Sequence, residues 1–244
     1  MKIKTLILDI DGTLTIDRKS PILSIEALSA IRKLVMKKSH VNVGLATGNA
    51  HIVAYALGKY IGLKVEKGPI ISENGCILWF DGKEYRLGDE NYTRQVYELI
   101  LKEFSRYVKP SYQSAYRKID HAFYIIHDNP EEIIKKIIEY LEEKSYLKYV
   151  DIKFSGYAGH VIPKGVDKGL AIKKYSELSG ISLDEIAAIG DSETDISMIR
   201  IAGLGVAVSN ASEELKKVAK YVTREPSGRG VAEFIHWLLS NDLV

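Results

Sequence analysis

Four short segments of the chain carry residue types that could transfer a phosphoryl group. The first runs from Asp9 through Asp11 and Gly12 to Thr13 and follows an aliphatic run at residues 3–8. Glycine permits a tight turn here, which leaves successive backbone N–H groups free to face an anion. One carboxylate beside such a turn can attack phosphorus, and a second can move a proton to the leaving oxygen. An ordinary strand-to-loop turn uses the same residue types.

A second acidic segment follows another aliphatic run, residues 186–189. It contains Asp191 and Asp195, whose carboxylates could complete a Mg²⁺ site with Asp9, because hard oxygen ligands suit this ion. The same residues are typical of a helix N-terminus, where Asp191 or Ser192 would cap the helix and acidic groups favour its dipole. Acidic residues follow two strands of the same predicted sheet, and this favours the metal site over the helix cap.

Two further segments could hold a phosphate group. Thr47, Gly48 and Asn49 supply a hydroxyl and an amide between an aliphatic run and a predicted helix. Lys168 stands beside Gly169 at the start of another predicted helix, where a positive charge is unfavourable for the helix dipole. Each segment alone also fits an ordinary loop or a solvated surface. The unfavourable placement of Lys168 favours a side chain that neutralises a bound anion.

The composition is typical of a globular protein and argues against several classes. Of the 244 residues, 46% are hydrophobic and 27% are charged, unlike a disordered chain. The 34 basic and 32 acidic residues give a net charge of +2, so we expect neither a nucleic-acid nor a membrane partner. No apolar run reaches the ~20 residues that cross a bilayer. The single Cys76 excludes an intramolecular disulfide framework, and we expect a cytoplasmic protein.

Aliphatic runs alternate with helical patterns in the first and last parts of the chain. This alternation predicts an α/β fold with a Rossmann-like parallel sheet covered by helices. The predicted core strands lie at residues 3–8, 41–46, 69–72, 186–189, 204–208 and 221–223. The predicted core helices lie at residues 24–38, 50–61, 167–179, 194–201 and 230–239. Such sheets bind ligands at the carboxyl ends of their strands, where Asp9 and Thr47 fall.

The pattern changes near residue 75, where paired strands replace the alternation. Residues 76–80 and 83–86 flank Asp81 and Gly82, a strong hairpin signal. Further strands are predicted at residues 112–118, 122–127 and 148–154, with helices at 89–107 and 130–144. These elements predict a small α+β unit at residues 83–155, inserted into a core made of residues 1–82 and 156–244.

Together, the four segments resemble the motifs of the haloacid dehalogenase superfamily of phosphohydrolases. Asp9 through Thr13 match the first motif, Thr47 the second, Lys168 the third and Gly190 through Asp195 the fourth, in the order of that superfamily. The resemblance implies that Asp9 is the nucleophile that forms an aspartyl-phosphate, and that Asp11 acts as general acid and then as base. The phosphoryl oxygens would be held by Thr47 and Lys168, with Gly48 and Asn49 beside them.

The resemblance also implies one Mg²⁺ ion. Its ligands would be the side chain of Asp9, the backbone carbonyl of Asp11 and Asp191, with Asp195 supporting directly or through water. Phosphoryl transfer depends on positioning and charge neutralisation. A dianionic phosphate that faces several carboxylates would be repelled without Mg²⁺ and Lys168.

The position of the predicted insertion is similar to that of the Cof-like branch with a type II cap. The interval from Asp9 to Thr47 has room for one loop and one helix, whereas the longer interval from Thr47 to Lys168 accommodates a cap. Ser72 through Gly75 and Asn210 are also similar to this branch, although Glu73, Asn74 and Gly75 alone would indicate a turn. The small cap and the chain length are most similar to the archaeal phosphoglycolate phosphatases, which implies 2-phosphoglycolate as the substrate.

Substrate choice would then depend on cap residues that face the core. Arg117, Lys118, His121 and Tyr157 are candidates, because a second anionic group on the substrate needs a cation. Each of them also fits a surface or packing position, and His160 fits a structural role near the hinge. Relatives with caps often dimerise, so a homodimer is compatible with the sequence, which leaves the oligomeric state open.

Other functions share these residues. Phosphatases of the sucrose-phosphate and mannosyl-3-phosphoglycerate types have the same pattern, and a phosphomutase would differ by a product that stays bound and reorients. Outside the enzymes, a phospho-receiver domain or a catalytically silent binding protein would use a similar fold. Asp11 argues against the receiver, because an acid two residues after the nucleophile promotes hydrolysis. The filled catalytic positions argue against the silent binding protein.

Overall fold

The computed structural model describes residues 2–244, which fold around two sheets. Residue 1, the first residue of the predicted core, lies outside this range. The strands are β1 (Thr5–Leu8), β2 (Asn42–Ala46), β3 (Ile70–Ser72), β4 (Ile77–Phe80), β5 (Lys83–Arg86), β6 (Val108–Pro110), β7 (His121–Ile125), β8 (Val150–Phe154), β9 (Gly159–Pro163), β10 (Ile186–Gly190), β11 (Leu204–Ala207) and β12 (Tyr221–Val222). The helices are α1 (Ile25–Lys37), α2 (His51–Tyr60), α3 (Glu90–Glu103), α4 (Pro130–Glu143), α5 (Lys168–Ser179), α6 (Ile196–Ile201), α7 (Glu213–Val218) and α8 (Ser227–Ser240).

The larger sheet has eight strands in the order β12-β11-β10-β1-β2-β3-β4-β5. The pairings from β12 to β3 are parallel, and the last two pairings are antiparallel. Every residue of β1 and β10 is buried, which is the pattern of parallel strands covered by helices on both faces. The predicted α/β fold is confirmed.

The register of this sheet determines where its loops begin. Leu8 in β1 is level with Leu45 in β2 on one side and with Ile189 in β10 on the other. Each of these residues lies at or next to the carboxyl end of its strand. The loops that start at Asp9, Thr47 and Asp191 therefore leave the same edge of the sheet.

Helices cover the larger sheet, and their ends follow local capping rules. The Ser24 side chain accepts a hydrogen bond from the N–H of Ala27 and caps α1, whose buried face includes Ile31 and Leu34. Asp167 caps α5 in the same way through the N–H of Leu170. Within residues 2–244, no helix combines the length and the apolar composition that a membrane crossing requires.

The smaller sheet has four antiparallel strands in the order β6-β7-β9-β8, and together with α3 and α4 it forms a unit that we call the insert. The insert has an apolar core of its own. This core contains Val96, Ile100, Phe123, Ile133, Ile137, Leu141 and Val161. The insert is thus an α+β layer between β5 and α5 in the chain.

One predicted strand is wrong, and some elements of the structure have no counterpart in the sequence prediction. Residues 112–118 do not form a strand; a 3₁₀ turn occupies 114–116, and the neighbouring strand is β6. The Ser114 hydroxyl donates to the carbonyl of Ala122, so this side chain competes locally with an extended backbone. The sequence prediction also missed β6, β9 and α7.

Sheet membership differs from the predicted boundaries of the insert at both ends. Asp81 and Gly82 have φ values of +50° and +71°, and this tight hairpin folds β5 back onto β4 in the larger sheet. At the other end, β9 pairs with β7 and β8 in the smaller sheet. The division into residues 83–155 and a core of 1–82 and 156–244 therefore stays a prediction.

Candidate active site

Three buried carboxylates form a cluster at the carboxyl edge of the larger sheet. Asp9 follows β1, Asp191 follows β10, and Asp195 ends the 3₁₀ turn after Asp191. One oxygen from each side chain lies within 4.8 Å of one oxygen from each of the others. The exposed fractions of the three residues are 5%, 2% and 0%. Such a convergence of hard oxygen atoms suits a divalent cation such as Mg²⁺.

Lys168 is the first residue of α5 and reaches into this cluster. Its Nζ lies 2.7 Å from Oδ1 of Asp9 and 2.6 Å from Oδ1 of Asp195. Burial lowers the pKa of Lys168, but the two carboxylates more than offset this effect and hold the pKa above its ordinary value. Lys168 therefore stays protonated between the two acids.

The acidic cluster carries more negative charge than its protein neighbours balance. Burial and the carboxylate of Asp195 raise the pKa of Asp9 well above its ordinary value, although Lys168 opposes this effect. Burial and Asp195 also raise the pKa of Asp191 to about 6, although Arg18 donates to Asp191 at 2.9 Å. The donor set and its excess charge thus fit a bound divalent cation.

Gly12 lets the loop after β1 approach this cluster. Its φ is +86°, and a Cβ at this position would lie 2.2 Å from Oδ2 of Asp191. Both the left-handed backbone and the close approach require glycine here. On the other side, the amide of Asn210 donates to the carbonyl of Gly12 at 3.4 Å.

Asp11 and the segment Thr47–Asn49 form a second group at the same edge. The Asn49 side-chain nitrogen lies 2.7 Å from Oδ2 of Asp11 and 2.9 Å from Oγ1 of Thr47, and it donates to both. Thr47 is buried, whereas Asp11 is exposed. Carboxylates together with hydroxyl and amide donors thus border the same edge of the sheet, and these are groups that could position and transfer a phosphoryl group.

The turn at Glu73, Asn74 and Gly75 connects this region to the insert. All three residues have positive φ, and the N–H of Asn74 donates to the carbonyl of Thr47. The Glu73 carboxylate accepts hydrogen bonds from the backbone N–H groups of residues 118–120. A Cβ on Gly75 would lie 2.1 Å from the carbonyl oxygen of Asp167, so the turn also packs against the start of α5.

A buried polar network anchors the insert beside this turn. Arg117 donates to Asp120 and to the carbonyl of Gly48, each at 2.7 Å. Asp120 also accepts from Asn74 and contacts Nδ1 of His160. Although burial raises the pKa of Asp120, His160 and Arg117 lower it to about 2.

The remaining candidates from the sequence differ in their surroundings. Lys118 pairs with Glu84, and His121 is buried in β7 against the ring of Tyr97. Tyr157 is 77% exposed, so its position fits the surface. Cys76 is buried, and this burial raises the pKa of its thiol well above the ordinary value.

Sequence reasoning missed three residues that contact the site. Arg18 bridges Asp191 and the carbonyl of Ser155, which belongs to the insert. Gln113 contacts Asn49, and Asp120 holds the buried network. None of these residues has a motif or a spacing that marks it, because their contacts with Asp191, Asn49 and Asn74 join segments that are far apart in the chain.

The chain is similar in sequence to a known family and to curated proteins. A family profile described as haloacid dehalogenase-like hydrolase matches residues 6–105 and 83–235, two overlapping segments. The phosphoglycolate phosphatase of Staphylothermus marinus is 40% identical to this chain over 236 residues, which are 95% of each protein. The phosphoglycolate phosphatase of Metallosphaera sedula is 38% identical over 238 residues, which are 98% of this chain and 100% of that protein.

A solved structure shows the same similarity in three dimensions. The crystal structure of a Thermoplasma acidophilum protein superposes with a TM-score of 0.82 at 26% sequence identity. The alignment covers 100% of both chains. The likeness therefore includes both the larger sheet and the insert.

Proposed function

This chain belongs to the haloacid dehalogenase-like hydrolases and is a phosphatase, and we propose that it hydrolyses 2-phosphoglycolate through an aspartyl-phosphate on Asp9, with Mg²⁺ as cofactor. The observation that carries this proposal is the contact of Asp9 with Lys168 inside the buried acidic cluster. A carboxylate at a strand end that is fixed by a buried cation is suited to attack phosphorus.

Asp9 and Asp191 would hold Mg²⁺ through their side chains, Asp11 through its backbone carbonyl, and Asp195 directly or through water. The three clustered carboxylates support this assignment, since the raised pKa values of Asp9 and Asp191 reflect charge that a cation would neutralise. Bound there, Mg²⁺ would offset the negative charge of the phosphoryl oxygens.

In the first step, an oxygen of Asp9 attacks phosphorus, and the bond from phosphorus to the substrate oxygen breaks. The electron pair of that bond stays on the leaving oxygen, which takes a proton from the carboxylic acid of Asp11. Lys168 donates to Asp9, which holds this carboxylate in place and opposes the rise of its pKa. The hydroxyl of Thr47 and the backbone N–H of Gly48 donate to the phosphoryl oxygens.

In the second step, the Asp11 carboxylate takes a proton from water. The water oxygen attacks phosphorus, and the bond from phosphorus to Asp9 breaks. Phosphate leaves, Asp9 is restored as a carboxylate, and Asp11 is again protonated. Every proton and electron pair is thus accounted for without a further reactant.

Two observations support 2-phosphoglycolate within the phosphomonoesters. The similar proteins of Staphylothermus marinus and Metallosphaera sedula are named phosphoglycolate phosphatases and match the chain over nearly its whole length. The substrate carries a carboxylate one carbon from the phosphate ester, and Arg18 is a partly exposed cation beside Asp191. Nη1 and Nη2 of Arg18 already donate to Asp191 and to the carbonyl of Ser155, so Arg18 would offer this second anionic group its positive charge.

Phosphate release from a substrate panel tests the proposal. The panel contains 2-phosphoglycolate, sucrose phosphate, mannosyl-3-phosphoglycerate, a nucleotide and 4-nitrophenyl phosphate, each with Mg²⁺ and with EDTA. We expect metal-dependent release that is highest for 2-phosphoglycolate and is lost in Asp9→Asn. Asp128→Asn, which changes an exposed acid of the insert in the same way, is the control. Preference for a sugar phosphate would overturn the assignment of 2-phosphoglycolate as the substrate. Absence of phosphate release from every compound would overturn the proposed mechanism.

A further inference from the structure

We propose that Gln113, a residue of the insert, positions Asp11 for proton transfer by acting through Asn49. This inference rests on the proposed function, in which Asp11 protonates the leaving oxygen. Gln113 is a positioning residue here, since its contacts are with Asn49 and the backbone of Ala50.

Three hydrogen bonds of equal length connect the insert to Asp11. Oε1 of Gln113 accepts from the backbone N–H of Ala50 at 2.7 Å, and Nε2 of Gln113 donates to Oδ1 of Asn49 at 2.7 Å. Nδ2 of Asn49 then donates to Oδ2 of Asp11 at 2.7 Å. The same nitrogen donates to Oγ1 of Thr47.

The two ends of this chain of hydrogen bonds determine the orientation of both amides. A backbone N–H can only donate, so the side-chain atom of Gln113 that faces Ala50 must be its oxygen. The amino group of Gln113 then faces Asn49, whose oxygen must accept. A carboxylate accepts at both oxygens and a carboxylic acid still accepts at its carbonyl oxygen, so the amino group of Asn49 fits Asp11 in either form. Gln113 thus determines that Asn49 directs its amino group, and not its oxygen, toward Asp11.

Asp11 depends on this contact for its orientation. Its side chain is exposed, and among residues 2–244 it accepts a hydrogen bond from Asn49 alone. An exposed carboxylate with one partner loses a defined rotamer when that partner turns away. A general acid that is misplaced by about 1 Å can lose on the order of a hundredfold in rate.

The backbone that carries Gln113 is held firmly on the core. Gln113 immediately precedes the 3₁₀ turn at residues 114–116, and Arg117 at its end donates to the carbonyl of Gly48. The Glu73 carboxylate binds the next three backbone N–H groups, residues 118–120. The insert therefore presents Gln113 to Asn49 from a segment that is anchored at several points. The contact to Asp11 is complete when the insert is seated on the core.

The leaving group separates a positioning role from a general structural role. Departure of an alkoxide such as that of glycolate requires a proton from Asp11, whereas 4-nitrophenolate leaves without one. A change that only misplaces Asp11 therefore slows the hydrolysis of alkyl phosphates and leaves the hydrolysis of aryl phosphates nearly unchanged. A change that unseats the insert or damages the phosphate site slows both.

We therefore compare kcat/KM for 2-phosphoglycolate and 4-nitrophenyl phosphate in wild type, Asp11→Asn, Gln113→Ala and Gln113→Glu. The ratio kcat/KM covers the steps up to the departure of the leaving group. For Gln113→Ala we expect a loss of about 10- to 100-fold with 2-phosphoglycolate and of less than about threefold with 4-nitrophenyl phosphate. Gln95→Ala removes the other glutamine of the chain from an exposed position on α3, and both rates should be unchanged.

Gln113→Glu keeps the size of the side chain and the acceptor for Ala50. It places an oxygen against Oδ1 of Asn49, so Asn49 turns and presents this oxygen to Asp11. We expect the same selective loss as in Gln113→Ala. Because this variant removes no atoms from the interface, it also decides the question if Gln113→Ala does not fold.

Equal losses with both substrates would overturn the inference and assign Gln113 to seating the insert. Unchanged rates with both would overturn it as well. If wild type releases no phosphate, or if Asp11→Asn is equally slow with both substrates, the proposed function fails and the inference falls with it. These results differ from a failure of the inference alone, in which wild type and Asp11→Asn behave as expected.

Discussion

The ammonium of Lys168 lies 2.7 Å from Oδ1 of Asp9, and both side chains are buried. Two residues that are distant in the chain thus form one ion pair beneath the carboxyl edge of the larger sheet. The pair includes one charge of each sign, while Asp191 and Asp195 add further negative charge nearby.

Lys168→Met should abolish most of the activity and lower stability. Methionine fills the space of the stem but leaves Asp9 and Asp195 without their cation, and breaking a buried ion pair in this way costs about 3–5 kcal/mol. Phosphate release and the free energy of unfolding in urea measure the two effects. Lys173→Met changes an exposed lysine of the same helix and is the control. Activity within about threefold of wild type would contradict the role of Lys168 in charge neutralisation.

Gly12→Ala should reduce activity far more than Gly62→Ala. The two glycines have φ values of +86° and +88°, so alanine strains the backbone similarly at both, by about 1 kcal/mol. Only at Gly12 does the new Cβ lie 2.2 Å from a carboxylate oxygen of Asp191; at Gly62 no atom lies within 4 Å. Comparison of phosphate release and melting temperature in the two variants isolates the clash. Equal activities of Gly12→Ala and Gly62→Ala would contradict this prediction, because the loop after β1 would then move away from Asp191 without a loss of activity.

Asp120 should contribute to stability at neutral pH and lose this contribution in acid. Its pKa is about 2 in the folded protein and about 3.9 in an unfolded chain. The folded state therefore binds fewer protons, and the stabilisation is full well above pH 4 and disappears as pH falls through about 2. The difference corresponds to about 3 kcal/mol.

Urea unfolding of wild type and Asp120→Asn between pH 7 and pH 3 measures this effect. We expect the variant to be less stable at pH 7, since Arg117 loses its buried partner, and to lose less stability than wild type on acidification. The exposed Asp128→Asn controls for the loss of one carboxylate. If the free energy of unfolding falls equally with pH in wild type and in Asp120→Asn, Asp120 is not the source of this pH dependence.

Mg²⁺ should stabilise the folded protein through the acidic cluster. A ligand that binds the folded state at a hundred times its Kd adds about 2.7 kcal/mol, which raises the melting temperature by roughly 5–10 °C for a chain of this size. Asp191→Asn should remove this increase, and EDTA should reverse it in wild type. Asp128→Asn should keep it. The same increase in Asp191→Asn would locate the binding site elsewhere.

The core of the site could be predicted because it depends on local patterns. Asp9, Thr47 and Asp191 each follow an aliphatic strand, and strands of a parallel sheet end at one edge. Their roles as nucleophile, phosphate ligand and metal ligand stay predictions, whereas the phosphatase activity is supported by the family and the curated relatives. The prediction of a strand at residues 112–118 was wrong because the pattern of apolar residues does not determine the conformation there. The Ser114 side chain donates to the carbonyl of Ala122 and favours a turn.

The amino-acid sequence by itself determined the α/β class, the order of the core elements and the residue types at the strand ends. Burial of aliphatic runs and turn chemistry are local properties, so they can be read from neighbouring residues. The tertiary structure alone decided that β5 stays in the larger sheet, that Arg117 binds the carbonyl of Gly48 and that Gln113 reaches Asn49. These contacts depend on how two separate apolar cores dock against each other, and the order of apolar and polar residues does not encode that orientation.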